Sequence, residues 1–167
     1  MKERFSLMFA LLSIFLFQTA FAQQTKNTET AACTFDDGNE ISVRYTPVEF
    51  KKANEIPNAK PWTPGDAQML LFTPTDVAAA NTTIPTGAYT LYILRNKNDW
   101  TLIVSRNIKE GTPYDASQDV VRIPMGTGKV SSSKTTFSAN FGHVAPKTCS
   151  IQIYFGDTGA FGDFIQK

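Results

Sequence analysis

Hydrophobic and polar residues alternate with a period of two along most of the chain after residue 31. Residues 32–35 and 41–45 alternate in this way on either side of the turn-forming sequence Asp36-Asp37-Gly38-Asn39. The pattern therefore predicts an opening β-hairpin. It assigns five side chains to the inward face: Cys33, Phe35, Ile41, Val43 and Tyr45.

The central section is the most hydrophobic. Residues 87–94 are apolar on both sides, as expected of a strand that is covered on both faces, and residues 100–105 return after a polar turn. Further strands are predicted at residues 68–72, 119–125, 136–141 and 149–155, the last with Cys149 on its inward face. No stretch after residue 22 keeps helical spacing over three turns.

This pattern predicts an all-β fold built from seven to nine short strands, and the assigned domain is residues 32–167. We expect a single-domain antiparallel β-sandwich of Greek-key or jelly-roll type. The alternative is a partly open β-barrel.

The first 22 residues have the three parts of a secretory signal peptide. A basic start is followed by an apolar run at residues 5–17 and by small residues at Ala20 and Ala22. The alternative is a membrane anchor, but the 13-residue run is shorter than the roughly 20 residues that a spanning helix needs. We expect cleavage after Ala22, a flexible polar tail at residues 23–31, and a periplasmic or extracellular protein without a membrane span.

The chain has only two cysteines, Cys33 and Cys149. In an oxidising compartment two thiols tend to form a disulfide, and both residues fall on predicted inward faces. A disulfide between them is therefore expected, with two separate buried thiols as the alternative.

Charge excludes some partners. The formal net charge is +1, and removal of residues 1–22, with two basic residues and one acidic residue, brings it to 0. Nucleic-acid binding requires a strongly basic face, and binding to anionic membranes requires a polybasic patch. The sequence predicts neither.

One connection is unusually long. Residues 47–66 contain four prolines and no alternation, and loops of this length in compact domains are often functional or disordered. Trp62 lies between two of these prolines. A large aromatic residue at this place indicates an ordered loop that lies against the domain.

Four segments, in order, carry a family resemblance: residues 41–47 (Ile-Ser-Val-Arg-Tyr-Thr-Pro), 62–67 (Trp-Thr-Pro-Gly-Asp-Ala), 85–91 (Pro-Thr-Gly-Ala-Tyr-Thr-Leu) with 100–104, and 114–115 with 119–122. They resemble an exported bacterial family catalogued as domain of unknown function 2911. The resemblance covers roughly residues 40–160 and implies an extracytoplasmic β-sandwich without an assigned chemistry. Where the family has Arg after Trp, this chain has Thr63, so no role of that Arg is carried over.

Short motifs that resemble catalytic or metal sites are incomplete. His143 is the only histidine, and zinc sites usually need several His or Cys ligands. The triplet 157–159 (Asp-Thr-Gly) has no second copy for an aspartic-protease pair, and residues 126–129 (Gly-Thr-Gly-Lys) lack the rest of a phosphate loop. We interpret both segments as turns, and we assign no catalytic residue, metal ligand or cofactor.

The remaining candidates are aromatic and charged residues from the four segments. Stacking rings beside hydrogen-bonding groups bind sugars or peptides in many β-sandwiches, although large aromatic residues more often fill cores. The predicted ligand-binding residues are Arg44, Trp62, Asp66, Tyr114, Asp115 and Arg122.

Three functions follow from these candidates. The first is a non-enzymatic ligand-binding or accessory module for an unknown small molecule, glycan or protein. The second is an envelope-assembly protein that acts through a sheet edge. The third is a hydrolase that uses a carboxylate pair such as Asp66 and Asp115. The missing catalytic constellation favours the first.

Overall fold

The computed structural model describes residues 27–49 and 55–167. The predicted signal peptide and residues 23–26 of the predicted tail lie outside this part of the chain. The described residues form strands and irregular segments without an α-helix, and short 3-10 turns occur at Pro64–Asp66 and Ala116–Gln118. The all-β prediction is confirmed.

Nine strands are present in the described residues, and they belong to one antiparallel sheet with the order β1-β2-β3-β6-β7-β8-β9-β4-β5. Their bounds are β1 Glu29–Thr34, β2 Glu40–Tyr45, β3 Leu70–Thr73, β4 Val77–Ala79, β5 Thr82–Ile84, β6 Gly87–Asn96, β7 Asp99–Ser105, β8 Asp119–Ala145 and β9 Thr148–Gln166. The sheet is not closed into a barrel.

The long strand β8 joins two halves of the sheet. Its first residues, 119–125, pair with β7, and residues 126–145 pair with β9. We call β1, β2, β3, β6, β7 and this first part of β8 the first half of the sheet. The rest of β8 with β9, β4 and β5 is the second half.

Strand β9 doubles back on itself. The backbone N–H of Gln166 donates to the carbonyl of Lys147 at 2.8 Å, and the Ser150 hydroxyl reaches the Gly162 carbonyl at 3.5 Å. The two ends of β9 therefore lie side by side. The reversal occurs near Gly156, whose φ of 57° is readily adopted by a residue without a Cβ.

Aromatic rings from both halves meet in one core. Phe137 in β8 packs on Phe155 in β9 with ring centroids 6.1 Å apart. Tyr45 from β2 contacts Phe137 at 5.5 Å, and Trp100 from β7 stacks on Phe155 at 4.5 Å. Because the inward side chains of the two halves pack against each other, the arrangement is sandwich-like.

A disulfide joins Cys33 in β1 to Cys149 in β9, with their Cα atoms 6.1 Å apart. This confirms the expected pairing. The two residues are 116 positions apart in the chain. A cross-link across so long a loop lowers the conformational entropy of the unfolded chain, and on these grounds it stabilises the folded state by up to about 4–5 kcal/mol.

Several predicted boundaries differ from the structure. Strand β1 begins at Glu29, so residues 29–31 belong to the sheet and not to a tail, and the Tyr45 hydroxyl donates to the Glu29 carboxylate at 2.6 Å. Strands β4 and β5 were not predicted. Residues 126–129, interpreted as a turn, are instead strand residues that pair with residues 158–161, and residues 157–159, also interpreted as a turn, lie within β9. The turn lies beside them, at Gly156.

Candidate functional site

The connection between β2 and β3 extends the sheet beside β6. Strand β3 pairs with β6 only at residues 87–90, which leaves later backbone groups of β6 to be satisfied. The N–H of Trp62 donates to the Ile93 carbonyl at 2.9 Å, and the N–H of Ile93 donates to the Trp62 carbonyl at 2.8 Å. The prediction that this connection is an ordered loop lying against the domain therefore agrees with residues 58–62, which lie along β6.

The connection between β7 and β8, residues 106–118, covers the outer face of the first half. Asn107 organises it, because its carbonyl accepts from Thr90 at 2.7 Å and its side chain bonds to Thr112 at 2.9 Å and to the Pro113 carbonyl at 3.2 Å. Tyr114 packs edge-on against Tyr92 of β6 at 5.0 Å.

A pocket of about 410 Å³ lies between these two connections, with the outer face of β6 as its base. Its volume falls within the range of roughly 300–1,000 Å³ that is usual for small-molecule sites. The β2–β3 connection contributes Lys60, Trp62, Thr63 and Asp66 along with two prolines, β6 contributes Thr90 and Tyr92, and the β7–β8 connection contributes Lys109, Thr112 and Tyr114.

Three of the six predicted ligand-binding residues line this pocket: Trp62, Asp66 and Tyr114. They come from two segments about 50 positions apart in the chain. Trp62 also contacts the core, because its ring packs against Phe137 at 6.1 Å. Trp62 therefore has a structural role beside any role in binding.

Charged groups in the pocket are unpaired among the described residues. Asp66 accepts no side-chain hydrogen bond there, and neither Lys60 nor Lys109 forms an ion pair. Asp66 also has a φ of 53°, directly after Gly65 at 61°. A left-handed non-glycine residue is uncommon, and such conformations cluster at functional sites.

Tyr114 belongs to a hydrogen-bonded cluster at the edge of the pocket. Its hydroxyl donates to Asp119 Oδ2 at 2.7 Å and accepts from Arg122, which also binds Asp119 at 2.9 Å. Burial and the bond to Asp119 raise the pKa of Tyr114 to about 12. Asp119 Oδ1 is buried and accepts no hydrogen bond from the described residues. The cluster fixes the position of the Tyr114 ring.

The other three predicted site residues do not line the pocket. Asp115 is exposed and caps the following 3-10 turn, since its Oδ1 accepts from the Ser117 N–H at 2.9 Å and this bond lowers the pKa of the carboxyl. Arg44 lies over the ring of Phe72 at 5.7 Å. Arg122 does not line the pocket and acts on it through Tyr114.

Three residues of the site, Lys60, Lys109 and Asp119, are not among those predicted from the sequence. The lysines occur in polar loops, where a charged residue is usually only solvated. A Tyr followed five residues later by Asp and eight later by Arg is the sole signal for the cluster, and it becomes informative only when β8 is known to begin at Asp119.

His143 and the Asp-Thr-Gly triplet at residues 157–159 have partners within the fold. His143 lies 3.4 Å from Asp36 in the β1–β2 turn, and Asp157 pairs with Lys129 at 3.2 Å. Within residues 27–49 and 55–167, no group of three or more His, Cys, Asp or Glu residues could hold a metal ion. No helix in the same part of the chain is long and apolar enough to cross a membrane.

Residues 24–161 match the model of a family described as a protein of unknown function (DUF2911). The chain belongs to this family. The match confirms the resemblance carried by the four segments and covers most of the chain. No curated protein and no solved structure matches the chain. Membership of DUF2911 supplies no chemistry, so the function has to be argued from the pocket itself.

Proposed function

We propose that this DUF2911 protein is an exported, non-enzymatic binding module, and that its ligand occupies the pocket between the β2–β3 and β7–β8 connections. One observation carries the proposal. Two separate connections bring unpaired charged side chains, Lys60, Asp66 and Lys109, to one pocket with an aromatic wall. Unpaired charges and hydroxyls beside rings are the features expected of a site that orients a small polar ligand.

The charges favour a particular class of ligand. Two lysines and one aspartate give the lining a net positive charge, which complements a ligand carrying an acidic group. Asp66 adds an acceptor for an amino or hydroxyl group of the same ligand. Amino acids, short peptides and sugar acids combine these features with an apolar surface for contact with Tyr92 and Tyr114.

Export is part of the proposal. The disulfide is typical of oxidising compartments and is compatible with cleavage after Ala22. Mass spectrometry of the protein expressed with its own leader should give a mature chain that begins at Gln23. An intact N-terminus would contradict the cleavage.

The geometry lends less support to the other two functions. Of the described residues that line the pocket, Asp66 is the only carboxylate, and Asp115 is engaged by Ser117 instead. A glycosidase-type pair needs both carboxyl groups beside the substrate. Assembly through a sheet edge stays a prediction.

Thermal-shift measurements on the oxidised protein test the proposal. The panel contains amino acids, dipeptides and sugar acids, with neutral sugars for comparison. A ligand at 100 times its Kd stabilises by about 2.7 kcal/mol, which corresponds to a shift of several degrees. Titration calorimetry of any compound that shifts the melting temperature then gives its affinity for the wild type and the variants.

Lys60→Ala, Asp66→Ala and Lys109→Ala should each weaken that affinity, because each removes a charge from the pocket. Lys147→Ala is the matched control, since this exposed lysine lies in the turn between β8 and β9. Trp62→Ala is a poor test because it also removes a core contact. Equal binding by all three pocket variants would overturn the proposal, and so would the absence of any shift from acidic compounds.

A further inference from the structure

The outer face of the second half of the sheet contains a groove of about 430 Å³ that is separate from the pocket described above. It crosses β8 and β9, and no connection among the described residues covers it. Its lining includes Gln152, Tyr154, Phe161 and Asp163 from β9, and Lys129 and Val144 from β8. Phe161 is 51% exposed and Val144 57% exposed, so large apolar groups face solvent here.

Glycines allow the two aromatic rings of this groove to lie close against the sheet. A Cβ added to Gly126 would come within 2.3 Å of the Phe161 ring, so this ring lies directly against the Gly126 backbone. A Cβ at Gly159 would lie 3.3 Å from the Tyr154 ring. Glycine permits such close approach because it has no side chain. The result is aromatic surface that packs on the backbone on one side and is open to solvent on the other.

Polar groups lie next to these rings. The Tyr154 hydroxyl donates to Gln152 Oε1 at 2.8 Å, which orients the amide. The amide nitrogen of Gln152 donates no hydrogen bond to the residues that the structure describes. Asp163 adds an exposed carboxylate. Amide donors and carboxylate acceptors are therefore available at the rim of an aromatic surface.

We propose that this groove binds a neutral polysaccharide chain. The face of an aromatic ring is electronegative and attracts the weakly positive C–H groups on the face of a sugar ring, while the hydroxyl groups at the sugar's edge bond to polar neighbours. The charge of the lining agrees with a neutral ligand. Lys129 and Asp163 are the charged residues of the lining, and their formal charges cancel.

Affinity electrophoresis of the full, oxidised protein tests this inference. Native gels contain soluble β-glucan, xylan, glucomannan or glycol chitin, and retardation relative to a polysaccharide-free gel gives an apparent Kd. We expect retardation by at least one of these polymers. Phe161→Ala and Tyr154→Ala should each raise the apparent Kd about tenfold or more, because each removes one stacking surface.

Two further variants separate binding from general hydrophobicity. Gly126→Val keeps every aromatic residue but displaces the Phe161 ring, and it should weaken binding about as much as Phe161→Ala does. Ile108→Ala is the matched control. Ile108 is 51% exposed, like Phe161, but lies in the β7–β8 connection, and its removal should leave retardation unchanged. A thermal melt of each variant checks that it is folded.

Three results would overturn the inference: no retardation by any of the polymers, equal retardation of the folded Phe161→Ala/Tyr154→Ala double variant, or a wild-type dimer in sedimentation that Phe161→Ala dissociates. The dimer would identify the face as an interface between copies of the chain. Because the Lys60, Asp66 and Lys109 variants leave this groove intact, they should still be retarded. Failure here is thus distinguishable from failure of the proposed pocket.

Discussion

The two halves of the sheet differ in what covers their outer faces. On the first half, Thr90 and Ser105 are buried although they point away from the core, because Asn107 of the β7–β8 connection lies over them and bonds to both side chains. On the second half, Phe161 and Ile165 are about half exposed. The outer face of the first half is therefore covered by a connection, and we call it the covered face. The outer face of the second half has no such cover among the described residues, and we call it the bare face.

The two proposed binding surfaces, the pocket on the covered face and the groove on the bare face, are therefore built in different ways. The covered face gains a pocket whose charges come from distant parts of the chain and whose shape depends on how the connections fold. The bare face carries only the side chains of its strands, and two of its rings lie close to the backbone because the residues beneath them are glycines. We therefore expect the pocket to be sensitive to changes in the hydrogen bonds of its connections, and the groove to be insensitive to them.

The largest expected effect is the difference in stability between truncating an inward-facing phenylalanine and truncating an outward-facing one. Phe137→Ala removes a fully buried ring that contacts Tyr45, Trp62 and Phe155, and should lower the free energy of unfolding by about 3–5 kcal/mol. Phe161→Ala removes a half-exposed ring that packs on Gly126, and should lower it by only about 1 kcal/mol. Urea denaturation of both variants measures the difference.

A loss of several kcal/mol in Phe161→Ala would break the comparison, because it would show that the outward ring stabilises the fold and is not available for a ligand. Val144→Ala serves as a control on the same face. This residue is 57% exposed, and its truncation should change the free energy of unfolding by no more than about 0.5 kcal/mol.

The sequence predicts the parts of the fold in which a strand buries one face. The opening hairpin is an example, since its five inward residues are all buried in the structure. Strands β4 and β5 have only three residues each, too few for alternation to register. The length of β9 could not be predicted either, because Gly156 reverses the strand and its return was interpreted as a turn.

The candidate site is predictable only in part for a related reason. Trp62, Asp66 and Tyr114 belong to the segments that carry the resemblance to the family, and they do meet at one pocket. Asp115 belongs to the same kind of segment but caps a turn, a role that depends on backbone geometry after residue 115. Lys60 and Lys109 carry no local signal, because their significance comes from the tertiary placement of two loops.

An intermediate effect is expected at the edge of the pocket. Tyr114→Phe removes the hydroxyl that donates to Asp119 Oδ2, and should cost about 1–2 kcal/mol, because a bond to a charged acceptor is lost while Arg122 still donates to the same oxygen. The mutation also bears on alkaline stability. The pKa of Tyr114 in the folded protein is about 12, above its ordinary value of 10.0, because of burial and the bond to Asp119.

A raised folded pKa favours the protonated tyrosine in the folded state. Its contribution to stability is therefore complete below pH 10 and is lost as the pH rises towards 12. Urea denaturation between pH 9 and 12 should show a falling stability, with a shallower fall in Tyr114→Phe. Tyr45, whose pKa is also raised to about 12 by burial, remains in the variant and contributes to the residual slope. So do Tyr89 and Tyr92, because burial raises the pKa of each as well. Identical slopes in the two proteins would contradict the role of Tyr114.

The smallest expected effect distinguishes a cap from a ligand-binding residue. Asp115→Ala removes the acceptor for the Ser117 N–H and should cost about 0.5–1 kcal/mol, whereas Asp115→Asn keeps a side-chain oxygen in place and should restore most of this loss. Neither variant should change the affinity of a ligand that Asp66→Ala weakens, because Asp115 does not line the pocket. If Asp115→Asn is fully stable but loses binding, then the carboxylate itself contacts the ligand. The pocket would in that case extend past Tyr114 along the β7–β8 connection, and the covered face would hold a larger site than the one described.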